Sequence, residues 1–203
     1  VLWSRYRGTV DGSWQSINVL RLEPSAVERM TVGAHDGCST VTREVVAREA
    51  VAGVNAGYFS GGCADTGFLR VDDSTVSTSL ATTSDPPLQT EARVGWRGSH
   101  VSFEWGESGS DWTEPRFALG AHPMLVQDGV AQAQVQNGTQ VYSETDWEAQ
   151  PRTAFGLTNQ GDVLLLTLDG RTSAGAGLST PALADWLVAQ YDLSGALNLD
   201  GGG

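Results

Sequence analysis

The chain predicts a mixed α/β (α+β) fold: a mixed β-sheet core, a C-terminal βαβ unit and a β-rich insertion. Three observations carry this reading. Residues 16–23 (SINVLRLE) alternate apolar and polar side chains with the period of two that a half-buried strand requires. The final stretch from Val163 runs strand, helix, strand. Between them, 77–115 is rich in Ser, Thr, Gly and acidic residues and carries Pro86-Pro87, Trp96, Trp105 and Trp112, with two short strands (93–96 and 101–105) hinged at Gly98.

A shorter alternation at 30–34 predicts a second strand. Residues 42–51 have helical spacing, with Thr42 as N-cap, Glu44 in the first turn, Val45, Val46 and Ala50 on one face, and Gly53 as the stop. Asn55-Ala56-Gly57-Tyr58-Phe59 then reads as a strand end with small residues and an amide. Beyond the insertion, Ala118-Leu119-Gly120 and Met124 to Val130 resume regular structure, and Asp128-Gly129 is a hairpin turn. Val163–Leu168 is a continuous apolar strand ending in Asp169-Gly170-Arg171. Thr180-Pro181 starts a helix whose buried face is Leu183, Leu187 and Tyr191; Gly195 follows, and Ala196 to Leu199 returns as a strand. That order predicts a right-handed parallel crossover. Parallel neighbours end at the same sheet edge, so Asp169 and Asp200 are expected to face one crevice.

Length and charge narrow the function. At 203 residues the chain, 1–203, is read as one domain with a proper core. Net charge is −12 and all 12 basic residues are Arg, which argues against nonspecific nucleic-acid binding. No apolar run reaches the ~18 residues of a membrane span. Cys38 and Cys63, each beside glycine, are expected to form one disulfide in an oxidising, extracellular setting; two unrelated thiols are the alternative. The bridge would close a loop of about 25 residues, worth roughly 3 kcal/mol.

Candidate site residues cluster in glycine-rich and strand-end positions. Asp200 follows an apolar strand and precedes Gly201, Gly202 and Gly203, whose backbone N–H groups have no side chains to shield them from a ligand. Asp169 has the same setting with a single glycine, where Asp-Gly as a plain turn is the competing account. Arg152, ahead of an apolar strand, suits either an anion clamp or an ion pair orienting a core carboxylate, and Arg171 shares that ambiguity. Asn55 suits a hydroxyl or phosphate oxygen, or else a turn. His122 suits acid, base or ligand duty, or a structural role; His35 and His100 carry less signal. The three Trp of 77–115 either stack on sugar rings or form a small apolar cluster. Asn137-Gly138-Thr139 matches a glycosylation acceptor. HExxH, GxSxG and P-loop motifs are absent, and the chain has no Lys for the last.

Val54-Asn55-Ala56-Gly57-Tyr58-Phe59, the Pro123–Gly129 stretch, Pro151-Arg152-Thr153-Ala154-Phe155-Gly156, Leu168-Asp169-Gly170-Arg171 and Asn198–Gly203 form an ordered series. It resembles the phosphodiester glycosidase domain of the lysosomal uncovering enzyme, N-acetylglucosamine-1-phosphodiester α-N-acetylglucosaminidase, and of many bacterial proteins. The resemblance runs from about residue 16 to the end. It implies a mixed α/β domain that cleaves a sugar joined through its anomeric carbon to a phosphodiester. His122 stands where family members often have a small residue, and 77–115 departs from the family pattern. That pattern also continues past Asp-Gly-Gly-Gly with Ser or Thr, so a C-terminal segment after Gly203 is expected, lost by truncation or nicking, or present as a second chain after self-cleavage.

The implied chemistry needs charge stabilisation on a departing phosphate and help for an oxocarbenium-like centre. Arg152 and the terminal glycine N–H groups suit the first task. Asp200 or Asp169 suits the second, with Asn55 holding the substrate. Two alternatives stand beside this: a non-catalytic glycan-binding or structural domain of an envelope or phage particle, and a divalent-cation site (Ca²⁺ or Mg²⁺) built from Asp169 and Asp200.

Overall fold

The computed structural model describes residues 1–33, 37–80, 90–132 and 144–201. Gly202, Gly203, His35, Pro86-Pro87 and Asn137-Gly138-Thr139 lie outside the described residues. The elements run β1 (Leu2–Val10), β2 (Ser13–Leu22), α1 (Pro24–Val27), α2 (Val41–Ala47), β3 (Phe68–Val71), β4 (Ser74–Thr78), β5 (Thr90–Arg97), β6 (His100–Glu107), β7 (Phe117–Ala121), β8 (Met124–Gln127), β9 (Val130–Ala131), α3 (Glu144–Trp147), β10 (Arg152–Thr158), β11 (Val163–Leu168), α4 (Thr180–Gln190) and β12 (Leu193–Leu199).

The strands make two antiparallel sheets, one of seven strands in the order β1-β2-β11-β10-β12-β8-β9 and one of five in the order β4-β3-β7-β5-β6. β-structure therefore outweighs helix, a composition compatible with α+β. One face of the larger sheet packs on α4: Ala154, Leu164, Leu166, Leu168 and Ala196 meet Leu183, Ala184 and Leu187. Its other face packs on the smaller sheet, joining Phe155, Val163, Leu197 and Leu199 to Val94, Trp96, Leu119 and Ala121. A strand covered on both faces has no polar side to display, which is why β11 reads VLLLTL without alternation.

The predicted crossover is parallel as expected, but its two strands are not neighbours. β11 and β12 do run in the same direction, but β10 lies between them and pairs antiparallel with both. The hydrophobic run was legible; the strand that slips between the two was not, because two-faced burial looks the same in either pairing.

Several local expectations shift for identifiable reasons. Thr40, not Thr42, caps α2, its hydroxyl accepting from the Arg43 N–H, and none of α2 is buried. That helix ends at Ala47, before a left-handed Glu49, so Gly53 is not its stop. Residues 30–34 form no strand where they are described, and 54–58 is irregular backbone. Ser179 rather than Thr180 caps α4, accepting from the Ala182 N–H at 3.3 Å, with Pro181 in the first turn. Leu183 and Leu187 are buried as expected, and Tyr191 packs at the edge of the same cluster. Asp128-Gly129 is the tight β8–β9 turn, with φ of 51° and 77°. An equivalent pair, Asp11-Gly12 (φ 49° and 73°), closes the β1–β2 hairpin, so β2 begins at Ser13, ahead of the alternation at 16–23.

The 90–107 hairpin is built into the smaller sheet, with β5 paired on both edges. Of the three tryptophans in 77–115, Trp96 and Trp112 are buried and Trp105 keeps partial exposure. Cys38 and Cys63 are bridged, Cα–Cα 5.2 Å apart, which ties the segment before α2 to the loop after Phe59.

Candidate active site

Strand register assembles the site. Arg152 opens β10 and pairs with Leu168 on one side, while Thr153 pairs with Leu199 on the other. Asp169 and Asp200, each one residue past its own strand, therefore flank the start of β10. Three residues far apart in sequence reach one end of the larger sheet through backbone hydrogen bonds alone. The two glycines behind the aspartates are needed for that closeness: a Cβ on Gly170 would strike the backbone nitrogen of Pro151, and one on Gly201 its carbonyl oxygen. Gly201 is thus required by packing, whatever its N–H contacts.

Arg152 is buried. Its Nε donates to the Leu178 carbonyl at 3.0 Å, and one terminal nitrogen donates to the carbonyls of Glu148 (3.0 Å) and Asp146 (3.5 Å). The guanidinium so fixes the α3 segment against the start of α4, where Thr180 Oγ1 also donates to the Asp146 carbonyl. Burial lowers its pKa, and the nearby charge of Arg171 pushes the same way; Asp146, Tyr58 and Glu148 oppose this. Arg171 itself has a left-handed backbone (φ 57°) and donates from Nε to Gln150 Oε1 at 2.6 Å. Two guanidinium groups thus lie within electrostatic range of each other beside two aspartates.

Asp169 is partly exposed and faces Arg5, with a terminal guanidinium nitrogen 3.6 Å from its Oδ2. Among the described residues, no group of three or more His, Cys, Asp or Glu is arranged to hold a metal ion. Asn55 is half-buried in the segment that lies over the end of β12, where the Asp200 N–H donates to the Ala56 carbonyl at 3.0 Å.

His122 sits at the corner between the two sheets, in a cis peptide with Pro123. Its ring stacks on Tyr58 at 4.7 Å between centroids. The Tyr58 hydroxyl donates to the His122 carbonyl at 2.8 Å, and Asn198 Nδ2 donates both to that hydroxyl and to that carbonyl, each at 2.9 Å. Burial lowers the His122 pKa below the usual 6.5, with Asp146 pulling the other way, so the ring is neutral at pH 7. Burial also raises the Tyr58 pKa, reinforced by the charges of Asp146 and Asp200. Tyr58 is therefore a neutral phenol. Two buried polar atoms of this cluster, His122 Nδ1 and Asn198 Oδ1, have no hydrogen-bond partner among the described residues.

The structure thus gathers Arg152, Asp169, Asp200, Arg171, Asn55 and His122 around one sheet end. Sequence reasoning missed Tyr58, Asn198 and Asp146 as site residues. The first two lie inside the motifs that carry the resemblance, in 54–59 and 198–203. Asp146 had no signal, because it lies in a polar stretch whose only strong feature is the short α3. A recess of about 400 Å³ beside Val10 and Trp186, and one of about 240 Å³ bordered by Trp105 and Gln127, contain none of these residues. Convergent charge and orphaned polar atoms, not concavity, locate the candidate site.

The sequence profile described as phosphodiester glycosidase matches residues 48–203. The chain belongs to the phosphodiester glycosidase family. Among solved structures, the catalytic domain of zebrafish N-acetylglucosamine-1-phosphodiester alpha-N-acetylglucosaminidase, auto-inhibited by its pro-peptide, is similar with a TM-score of 0.67 and 21% identity, over 100% of this chain and 70% of that one. A hypothetical protein from Synechocystis gives 0.66 and 14%, over 98% of this chain and 56% of that one, so this phosphodiester glycosidase domain spans little more than half its length. A Burkholderia pseudomallei protein designated as exported gives 0.64 and 16%, over 95% and 68%. At these identities the three share the fold. No curated protein matches the chain.

Proposed function

We propose that this family member hydrolyses the bond between an anomeric sugar carbon and a phosphodiester, releasing free sugar and a phosphomonoester. The observation that supports it is the register that sets a buried arginine between two strand-end aspartates. In a protein of net charge −12, a buried guanidinium that also feels the charge of Arg171 suits an anion at this sheet end.

The phosphate is a good leaving group, so the main demand is for positive charge as it departs. Arg152 supplies that charge from a position fixed by three carbonyls, and Arg171 supplies it from the exposed side. Asp200 takes the carboxylate role at the anomeric carbon, as base for water or as nucleophile. Asp169, facing Arg5, is better placed to hold the rim than to react. Asn55 borders the sugar. The disulfide fits a secreted location, and among the described residues no helix is long and apolar enough to cross a membrane.

³¹P NMR of protein containing this chain, mixed with an α-GlcNAc-1-phosphodiester and then with a panel of other sugar 1-phosphodiesters, tests the reading. Conversion of a phosphodiester signal to a phosphomonoester, absent in Asp200→Asn, is expected. A panel left wholly unconverted, or an Asp200→Asn protein at wild-type rate, would overturn it.

A further inference from the structure

Asn198 is fully buried, and its amide orientation is settled by its neighbours. Nδ2 has two acceptors, the Tyr58 hydroxyl and the His122 carbonyl. Turning the amide over would set Oδ1 against that carbonyl oxygen, so only one orientation fits. The consequence is that Oδ1, itself buried, is left with no hydrogen-bond partner among the described residues. Buried polar atoms are nearly always satisfied, and an exception asks for an explanation. Asn198 also lies two residues before Asp200 on the strand that delivers it, and Tyr58 lies within range of the Asp200 charge. The second orphan, His122 Nδ1, belongs to the residue whose carbonyl holds the amide.

We propose that Asn198 Oδ1 accepts a hydrogen bond from the sugar of the substrate, through one hydroxyl or amide N–H, and so makes Asn198 a specificity-determining residue. Tyr58 is its positioning residue: the phenol, kept neutral, fixes the amide without competing for Oδ1. This inference rests on a sugar occupying the proposed site, though not on its being turned over. Arginine groups and Asp200 then handle the phosphate and the reacting carbon, while Asn198 reads a polar group on the ring. A site with a buried acceptor waiting for a donor rejects an analogue that lacks it more strongly than an apolar site rejects an added group.

The test is calorimetric binding of GlcNAc 1-phosphate, glucose 1-phosphate and galactose 1-phosphate, each with its set of single deoxy analogues, to wild type, Asn198→Ala and Tyr58→Phe, with kcat and KM measured on the matching phosphodiesters wherever turnover occurs. In wild type, one deoxy position is expected to weaken binding by about 10- to 100-fold. In Asn198→Ala that same position is expected to cost nothing further, while the other positions keep their wild-type effects. Tyr58→Phe, which leaves the His122 carbonyl as a partner, is expected to give a smaller loss confined to the same position. A general loss of packing would weaken every analogue alike and would not erase one difference selectively. Equal sensitivity of all deoxy positions in wild type and Asn198→Ala, or no binding of any sugar phosphate to wild type, would overturn the proposal. Selective discrimination in binding without any turnover would support it while removing the hydrolytic reading.

Discussion

At the residue scale, burial sets the protonation states. His122 is held below its ordinary pKa by desolvation, so the folded protein keeps it neutral where the unfolded chain would begin to take up a proton. Unfolding then binds more protons as pH falls below about 6.5, and stability falls with it. Thermal melts of wild type and His122→Gln between about pH 7.5 and 5.5 check this: the wild type is expected to lose more on acidification. A parallel decline in both proteins would show that His122 is not the group responsible. For Asp200→Asn, an isosteric change, turnover is expected to fall by at least about 100-fold with an unchanged circular dichroism spectrum.

At the element scale, the helix that backs the larger sheet depends on its first turn. Ser179→Ala removes the acceptor for the Ala182 N–H and is expected to cost about 1 kcal/mol in urea denaturation. Loss of no more than a few tenths would assign the capping role elsewhere. Reducing the Cys38–Cys63 bridge frees a loop about 25 residues long and is expected to remove roughly 3 kcal/mol. The elements also show where sequence reading succeeds. β2, β11, α4 and β12 were legible because a period of two, an unbroken apolar run, or a cap followed by proline each has a local cause. The shared sheet end of Asp169 and Asp200 was legible, since each is an Asp before Gly closing an apolar strand. The neighbour of β11 was not, because pairing with β10, which ends at Thr158, leaves no trace in the apolar run itself. Tyr58 and Asn198 escaped for a related reason: their bond joins residues 140 positions apart.

At the scale of the whole molecule, the two sheets share one apolar layer in which Phe155 meets Trp96 and Phe103. It reaches from the larger sheet into the smaller one and is almost fully buried. Phe155→Ala is expected to destabilise the fold by about 3–5 kcal/mol, read as a lower denaturation midpoint. A small effect would mean that the sheets hold together mainly elsewhere. The smaller sheet has its own buried polar brace: Arg93 and Glu91, both inaccessible, with Glu91 accepting from the Phe68 N–H at 2.8 Å. Gly67 and Gly120 pack close to Glu91, so the loop that carries Tyr58 is pressed onto this sheet as well as bridged by the disulfide. The candidate site thus borrows its rigidity from both layers.

Because register alone brings Arg152, Asp169 and Asp200 together, the site is sensitive to length as much as to identity. One residue added within β10 would turn its side chains over, sending alternate positions from the helix-covered face to the layer between sheets. No compensating substitution at the site could restore that. Chains that diversify this domain are therefore expected to hold the spacing inside β10 and β12 fixed. The ladder works as a ruler, and descendants of this fold can be expected to vary its lettering far more readily than its divisions.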